Sequence, residues 1–160
     1  MKNHSWALII LLFVTLTLDS CGQAPQKNTV IDCDDALWEH VYHANRLKVI
    51  EQCKHVTGVI YKEKREKDGD LHICLKLDAG QENLLNAFNI DKQHGCLVLE
   101  PVCVNEVTQK DAIGSCNDYV NRVVIPKVGE HVEVVGSYVE DEQHGWREIH
   151  PVTRIKILND

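Results

Sequence analysis

The stretch Ile125-Pro126-Lys127-Val128-Gly129-Glu130-His131-Val132-Glu133-Val134-Val135-Gly136 decides how the rest of the chain is read. Pro126 presets its own φ and Gly129 supplies the freedom of a turn, so the segment bends and then runs into a strand. In that strand, expected over Val132 to Val139, Val132 and Val134 alternate with charged neighbours, and Gly136 marks the place where it bends. Period two recurs on both sides. Upstream, Val56, Gly58 and Ile60 alternate with polar or aromatic residues, Asp68-Gly69 offers a type I′ turn, and Leu71, Ile73, Leu75 and Leu77 alternate with His72, Cys74, Lys76 and Asp78, which together predict a long β-hairpin. A third strand is expected from Cys96 to Val104 and a last one from Trp146 to Leu158.

Helical signals are fewer. Leu37, Val41, Leu47 and Ile50, with Trp38 and Tyr42 beside them, fall near helical spacing behind Asp34-Asp35, which predicts an N-terminal amphipathic helix over 34–50 with Trp38 seating it on the sheet. Thr108-Gln109-Lys110-Asp111 resembles a capping box and predicts a short helix ending near Cys116, whereas Asn83-Leu84-Leu85-Asn86 reads as a looser connection. The element order is then strand, strand, strand, short helix, strand, strand. It predicts a five-stranded Greek-key barrel over 53–158 of the OB type, with a β-sandwich or another small barrel as the other outcome. Ile125-Pro126-x-Val128-Gly129-x-x-Val132-x-Val134-x-Gly136 is similar to the approach to, and course of, strand four in many OB domains. More narrowly, Asp68-Gly69-Asp70-x-His72 with His144-Gly145-Trp146-x-Glu148-Ile149-His150-Pro151 resembles a family of uncharacterised exported bacterial OB-type proteins. That resemblance implies a fold and no activity.

Met1-Lys2-Asn3-His4 followed by an uncharged run from Trp6 to Leu18 reads as an export signal within residues 1–21, too short for the ~20 apolar residues of a membrane-spanning helix. Leu18 and Ser20 ahead of Cys21 resemble a bacterial lipobox, although Asp19 departs from the pattern; Cys21 is then the lipidation site and the membrane is reached through a lipid anchor. Ordinary cleavage after Gly22 or Ala24 is the other reading, giving a secreted protein, and a eukaryotic secretory origin fits the signal equally well. Residues 22–33 are polar at first and contain Pro25, as expected of a flexible tether, and residues 34–160 are expected to form one domain. Either processing route leaves six cysteines, Cys33, Cys53, Cys74, Cys96, Cys103 and Cys116, without a Cys-x-x-Cys pair. An oxidising compartment and three disulfides follow. Fifteen connectivities are formally open; neighbouring elements favour Cys33 with Cys53, Cys74 with Cys96 and Cys103 with Cys116, each worth about 3 kcal/mol. Formal net charge is −7, unchanged when Lys2 and Asp19 leave together, and this opposes binding to nucleic-acid phosphates. Lys62-Glu63-Lys64-Arg65 is read as the solvated face of the hairpin.

Chemistry has one candidate locus. With Ile149, Ile155 and Ile157 inward, Trp146, Glu148 and His150 share the opposite face of the last strand, and His72 leaves the hairpin opposite Leu71 and Ile73. Strand three of an OB barrel pairs with strands two and five, so Asp70, His72, His144, Trp146, Glu148 and His150 are the ligand-binding candidates. Imidazole with carboxylate suits zinc or another divalent metal, with His72, Glu148 and His150 as its expected ligands. Residues two apart on a strand stand roughly 6.8 Å from each other, so a shared ion needs a twist or bulge, which Pro151 favours. The plainer alternative pairs Glu148 with a base such as Arg65 and leaves His144-Gly145 as a turn. Asp68-Gly69-Asp70 also resembles a segment of thermonuclease-like enzymes, but no matching arginine follows Leu77 and the likeness ends there. No phosphate loop, Gly-x-Ser-x-Gly elbow or His-Glu-x-x-His segment is present. The sequence therefore predicts an exported, lipid-anchored binding module of the cell envelope or surface for a small polar ligand, a metal or a protein. A metal-dependent hydrolase using His72, Glu148 and His150 is its rival.

Overall fold

In a computed structural model the described residues are 33–159. The export signal, Cys21 and the tether up to residue 32 lie outside them. The chain is mostly β, with five strands and few helices: β1 Leu47–Arg65, β2 Leu71–Leu77, β3 Leu97–Leu99, β4 His131–Asp141 and β5 Arg147–Ile157. Hydrogen-bonded neighbours run β1-β2-β3-β5-β4, and the pairing of β4 with β1 closes the ring. All contacts are antiparallel except β3 with β5.

Strand parity fills the interior. Ile60, Leu71, Ile73, Leu75, Leu97, Leu99, Val132, Val134, Ile149 and Val152 are buried in one apolar cluster. Ile149 and Val152 lie three residues apart yet both face inward, because the β4–β5 register shifts on either side of Gly136, which pairs with Val152 just after Pro151. That is the irregularity expected of a residue that cannot donate to the ladder. A Cβ on Gly136 would collide with the carbonyl oxygen of Pro151 and the side chain of Ile149. Gly136→Ala should therefore cost about 1–3 kcal/mol in urea unfolding, and a loss under about 0.5 kcal/mol would show that the backbone yields there.

Several boundaries differ from the expectations. The N-terminal helix over 34–50 is replaced by two 3-10 segments, Asp35–His40 and Ala44–Arg46, and by the start of β1. His43 stands between them at φ 54°, a left-handed conformation that interrupts any helix there. Val49 and Ile50 are half exposed rather than buried, and Val49 is paired with Val139 as part of the strand. Leu37 and Val41 do go inward, and Trp38 packs with them on Val102 and Val139, seating the segment on the sheet. The hairpin is joined by the five residues 66–70, with the Glu66 N–H donating to the Asp70 carbonyl, rather than by a two-residue turn. The third strand ends at Leu99, since Pro101 has no N–H and Cys103 adopts φ 53°. The helix expected from Thr108 is only a 3-10 turn, Ile113–Cys116. Conversely, the loose connection contains a real helix, α1 Ala87–Lys92, closed by reciprocal capping between Asn86 and Asn89.

Cys33–Cys53, Cys74–Cys96 and Cys103–Cys116 are disulfide-bonded, with Cα separations of 5.6, 5.3 and 5.4 Å. These separations lie within the usual range for disulfides, and three of them in a small β-rich chain are in keeping with an oxidising compartment.

Candidate functional site

The register assembles the site on the outer face of the sheet. Because Leu71, Ile73 and Leu75 point inward, His72 and Cys74 point outward, and across β1 they meet Lys64 and Lys62. Ile73 faces Leu99 on the other side, so Glu100, one residue beyond β3, falls beside His72. Leu99 in turn faces Ile149, which carries the row on to His150, with Glu148 one pair back beside Val98. Lys64, His72, Glu100 and His150 thus form one transverse row across four strands, bases interrupted by a single acid.

Short contacts bind the row together. His72 Nδ1 donates to Glu100 Oε1 at 2.8 Å and its Nε2 to Gln93 Oε1 at 3.1 Å. Glu148 bridges its strand neighbours: Trp146 Nε1 donates to Oε2 at 2.8 Å, and His150 Nδ1 to Oε1 at 3.0 Å. It does not pair with Arg65. His150 Nε2 stands 3.7 Å from Asp70 Oδ2 and makes no hydrogen bond, while Asp70 Oδ1 accepts the Cys103 N–H at 2.9 Å. Asp70, Glu148 and His150 are 2 %, 1 % and 1 % exposed, so water screens none of these charges. His144 stacks on Trp146 with centroids 4.5 Å apart and donates from Nδ1 to Asp141, which Arg46 also meets at 3.1 Å.

Burial and charge set the protonation states. Burial drives the Asp70 carboxyl up to about 8, against the pull of His150. Burial alone would push the His150 imidazole down, but the hydrogen bond and charge of Glu148, with Glu100 and Asp70 behind it, outweigh this and hold it up to about 9. Burial likewise opposes protonation of His72, and Glu100 overcomes it; His72 is raised. Glu100 itself is raised, chiefly by burial, against its bond to His72. At neutral pH the enclosed group is accordingly a protonated Asp70 and a cationic His150 on Glu148.

Over the row opens a cavity of about 390 Å³, with His72, Gln93, Glu100, Trp146 and Glu148 in its lining and Lys62, Lys64 and Lys92 also around it. This lies at the lower end of small-molecule pocket sizes. Of the six residues singled out from the sequence, His72, His144, Trp146 and Glu148 line it. His150 and Asp70 sit beneath, buried among the others. Glu100 and Gln93 were missed. Glu100 carried a signal, since parity in a strand through Leu97 and Leu99 sends it outward with Val98; Gln93 follows α1 and carried none.

The expected metal ligands are not arranged as a ligand set. Among the described residues, the one trio of His, Cys, Asp or Glu whose donor atoms all lie within 4.8 Å is Asp70, Cys103 and Cys116, and its two sulfurs are bonded to each other. Glu100 lies between His72 and His150 in the row.

Among known proteins, no family model and no curated sequence matches this chain.

Proposed function

We propose that this chain is an exported, lipid-anchored binding module of the cell envelope or surface, built on an OB-type barrel, that holds a small polar ligand in the cavity over His72, Glu100 and Trp146. The observation that carries this is the cavity itself: open to a small molecule, walled by an aromatic ring, and floored by polar groups already oriented by their neighbours. Floors fixed in advance suit recognition, because ligand binding then orders few side chains. A catalytic reading would need a nucleophile or a free base, and here Cys74 is in a disulfide while both nitrogens of His72 are engaged. The OB assignment is supported by the strand order β1-β2-β3-β5-β4 and the parallel β3–β5 contact. Export is supported by the three disulfides, and anchoring by Cys21 behind Leu18 and Ser20.

Two measurements test the reading. Cys21→Ser should move the protein from the membrane fraction to the soluble exported fraction, and an unmodified N-terminus beyond Cys21 by intact mass would reject the anchor. In a thermal-shift panel of sugars, amino acids and organic acids, a ligand should raise the melting temperature of the native chain and not of Trp146→Ala. Zinc should leave it unchanged. A shift with zinc alone, lost in His150→Ala, would overturn the binding-module reading in favour of the metal-dependent hydrolase at His72, Glu148 and His150.

A further inference from the structure

The charges around the cavity are unequally committed. Every carboxylate that lines it already accepts a hydrogen bond: Glu66 from Lys64, Asp68 from the Asp70 N–H, Glu100 from His72, Asp141 from His144, and Glu148 from Trp146 and His150. Two of its cations have no carboxylate. Lys62, opposite Cys74 on β1, makes no polar contact among the described residues, and Lys92, at the end of α1, only lies over the Phe88 ring at 4.7 Å. Lys64 is held by Glu66 alone, at the surface, where such a pair is easily exchanged. Behind them the floor presents His72 between two oxygen acceptors. A cationic ligand would have to displace a buried donor from Glu100 or Glu148, whereas an anionic group completes pairs that the protein leaves open.

Resting on the binding reading above, we infer that the cavity is a site for a small anion, a carboxylate or phosphate group carried on a compact body, with the anionic end between Lys62 and Lys92 and the body against Trp146. Because the carboxylates in the lining are already engaged, Lys62 and Lys92 are the charges at this opening that a ligand can pair with. The cavity volume restricts the ligand to a small molecule.

The test is a titration of the full chain, followed by tryptophan fluorescence, with inorganic phosphate and with citrate at constant ionic strength. A saturable change is expected with at least one of the two. Combined Lys62→Gln and Lys92→Gln should weaken it tenfold or more, while Lys156→Gln, at the far end of β5, leaves it unchanged. Citrate acting without phosphate, or the reverse, separates a carboxylate from a phosphate ligand. No saturable response to either anion, or equal affinity in the double variant, overturns the inference. Saturable binding of a neutral disaccharide that is lost in Trp146→Ala but indifferent to both lysines would also overturn it, while leaving the binding-module reading intact.

Discussion

Glu148→Ala should destabilise the folded chain by about 3–5 kcal/mol, because it strips the partner from a buried cationic imidazole and leaves that charge uncompensated. The loss has two parts. His150, 1 % exposed, would retain only Asp70 at 3.7 Å and Glu100 farther along the row, and the indole N–H of Trp146 would lose its acceptor. Glu148→Gln separates them, since the amide can still accept from Trp146 but brings no charge to His150; it should cost less than the alanine variant and remain foldable for comparison. Urea unfolding at pH 7 measures both. A loss under about 1 kcal/mol for Glu148→Ala would mean that His150 is not a buried cation, which would undo the protonation scheme of the whole site.

How much of this was legible beforehand follows from where the information is local. Hydrophobic alternation in Leu71 to Leu77 and in Val132 to Val139 specifies strand and inward face by itself, so the hairpin and β4 lie close to where they were read. The helical spacing of Leu37, Val41, Leu47 and Ile50 misled because four positions cannot distinguish one helix from a 3-10 turn followed by a strand; a single left-handed residue, His43, decided it. The six candidate site residues came from turn and strand motifs, which are local too. Their grouping did not. Whether His72 and His150 share a ligand depends on what stands between them in the sheet, and the sequence places Glu100 there only once the parallel register of β3 with β5 is known. Arg46 and Asp141 around the cavity meet across 95 positions of chain, for which no periodicity gives notice.

Stability should fall as pH rises from about 6.5 to 9, and the sign follows from Asp70 and His150 alike. The His150 imidazole is held up to about 9 in the folded chain against an ordinary 6.5, so its contribution is complete below pH 6.5 and disappears as pH climbs through 9. Asp70, held up to about 8 against an ordinary 3.8, keeps a proton that the unfolded chain has already released, so it too loses stability as pH rises toward 8. Between pH 6.5 and 8 the folded chain holds up to two more protons than the unfolded one, which gives a slope of roughly 2–3 kcal/mol per pH unit at its steepest. Glu148 and Glu100 hold the proton on His150, and Glu100 and Asp68 disfavour the charged form of Asp70; the attraction between His150 and Asp70 raises the one and lowers the other, and burial of Asp70 outweighs it. Asp78 and Asp111, whose carboxyls are lowered and exposed, respond only in acid. Asp70→Asn isolates the effect, because the amide oxygen can still accept the Cys103 N–H while mimicking the protonated carboxyl. That variant should match the native chain only below about pH 4, exceed it by a margin that widens up to about pH 8, and flatten the slope by about one proton across that window. Melting temperatures taken across this range check both statements. A native profile that is flat or rising from pH 6.5 to 9, or an unchanged slope in Asp70→Asn, would show that the carboxyl beneath the cavity is ionised at neutral pH and that His150 is balanced by two full charges rather than one.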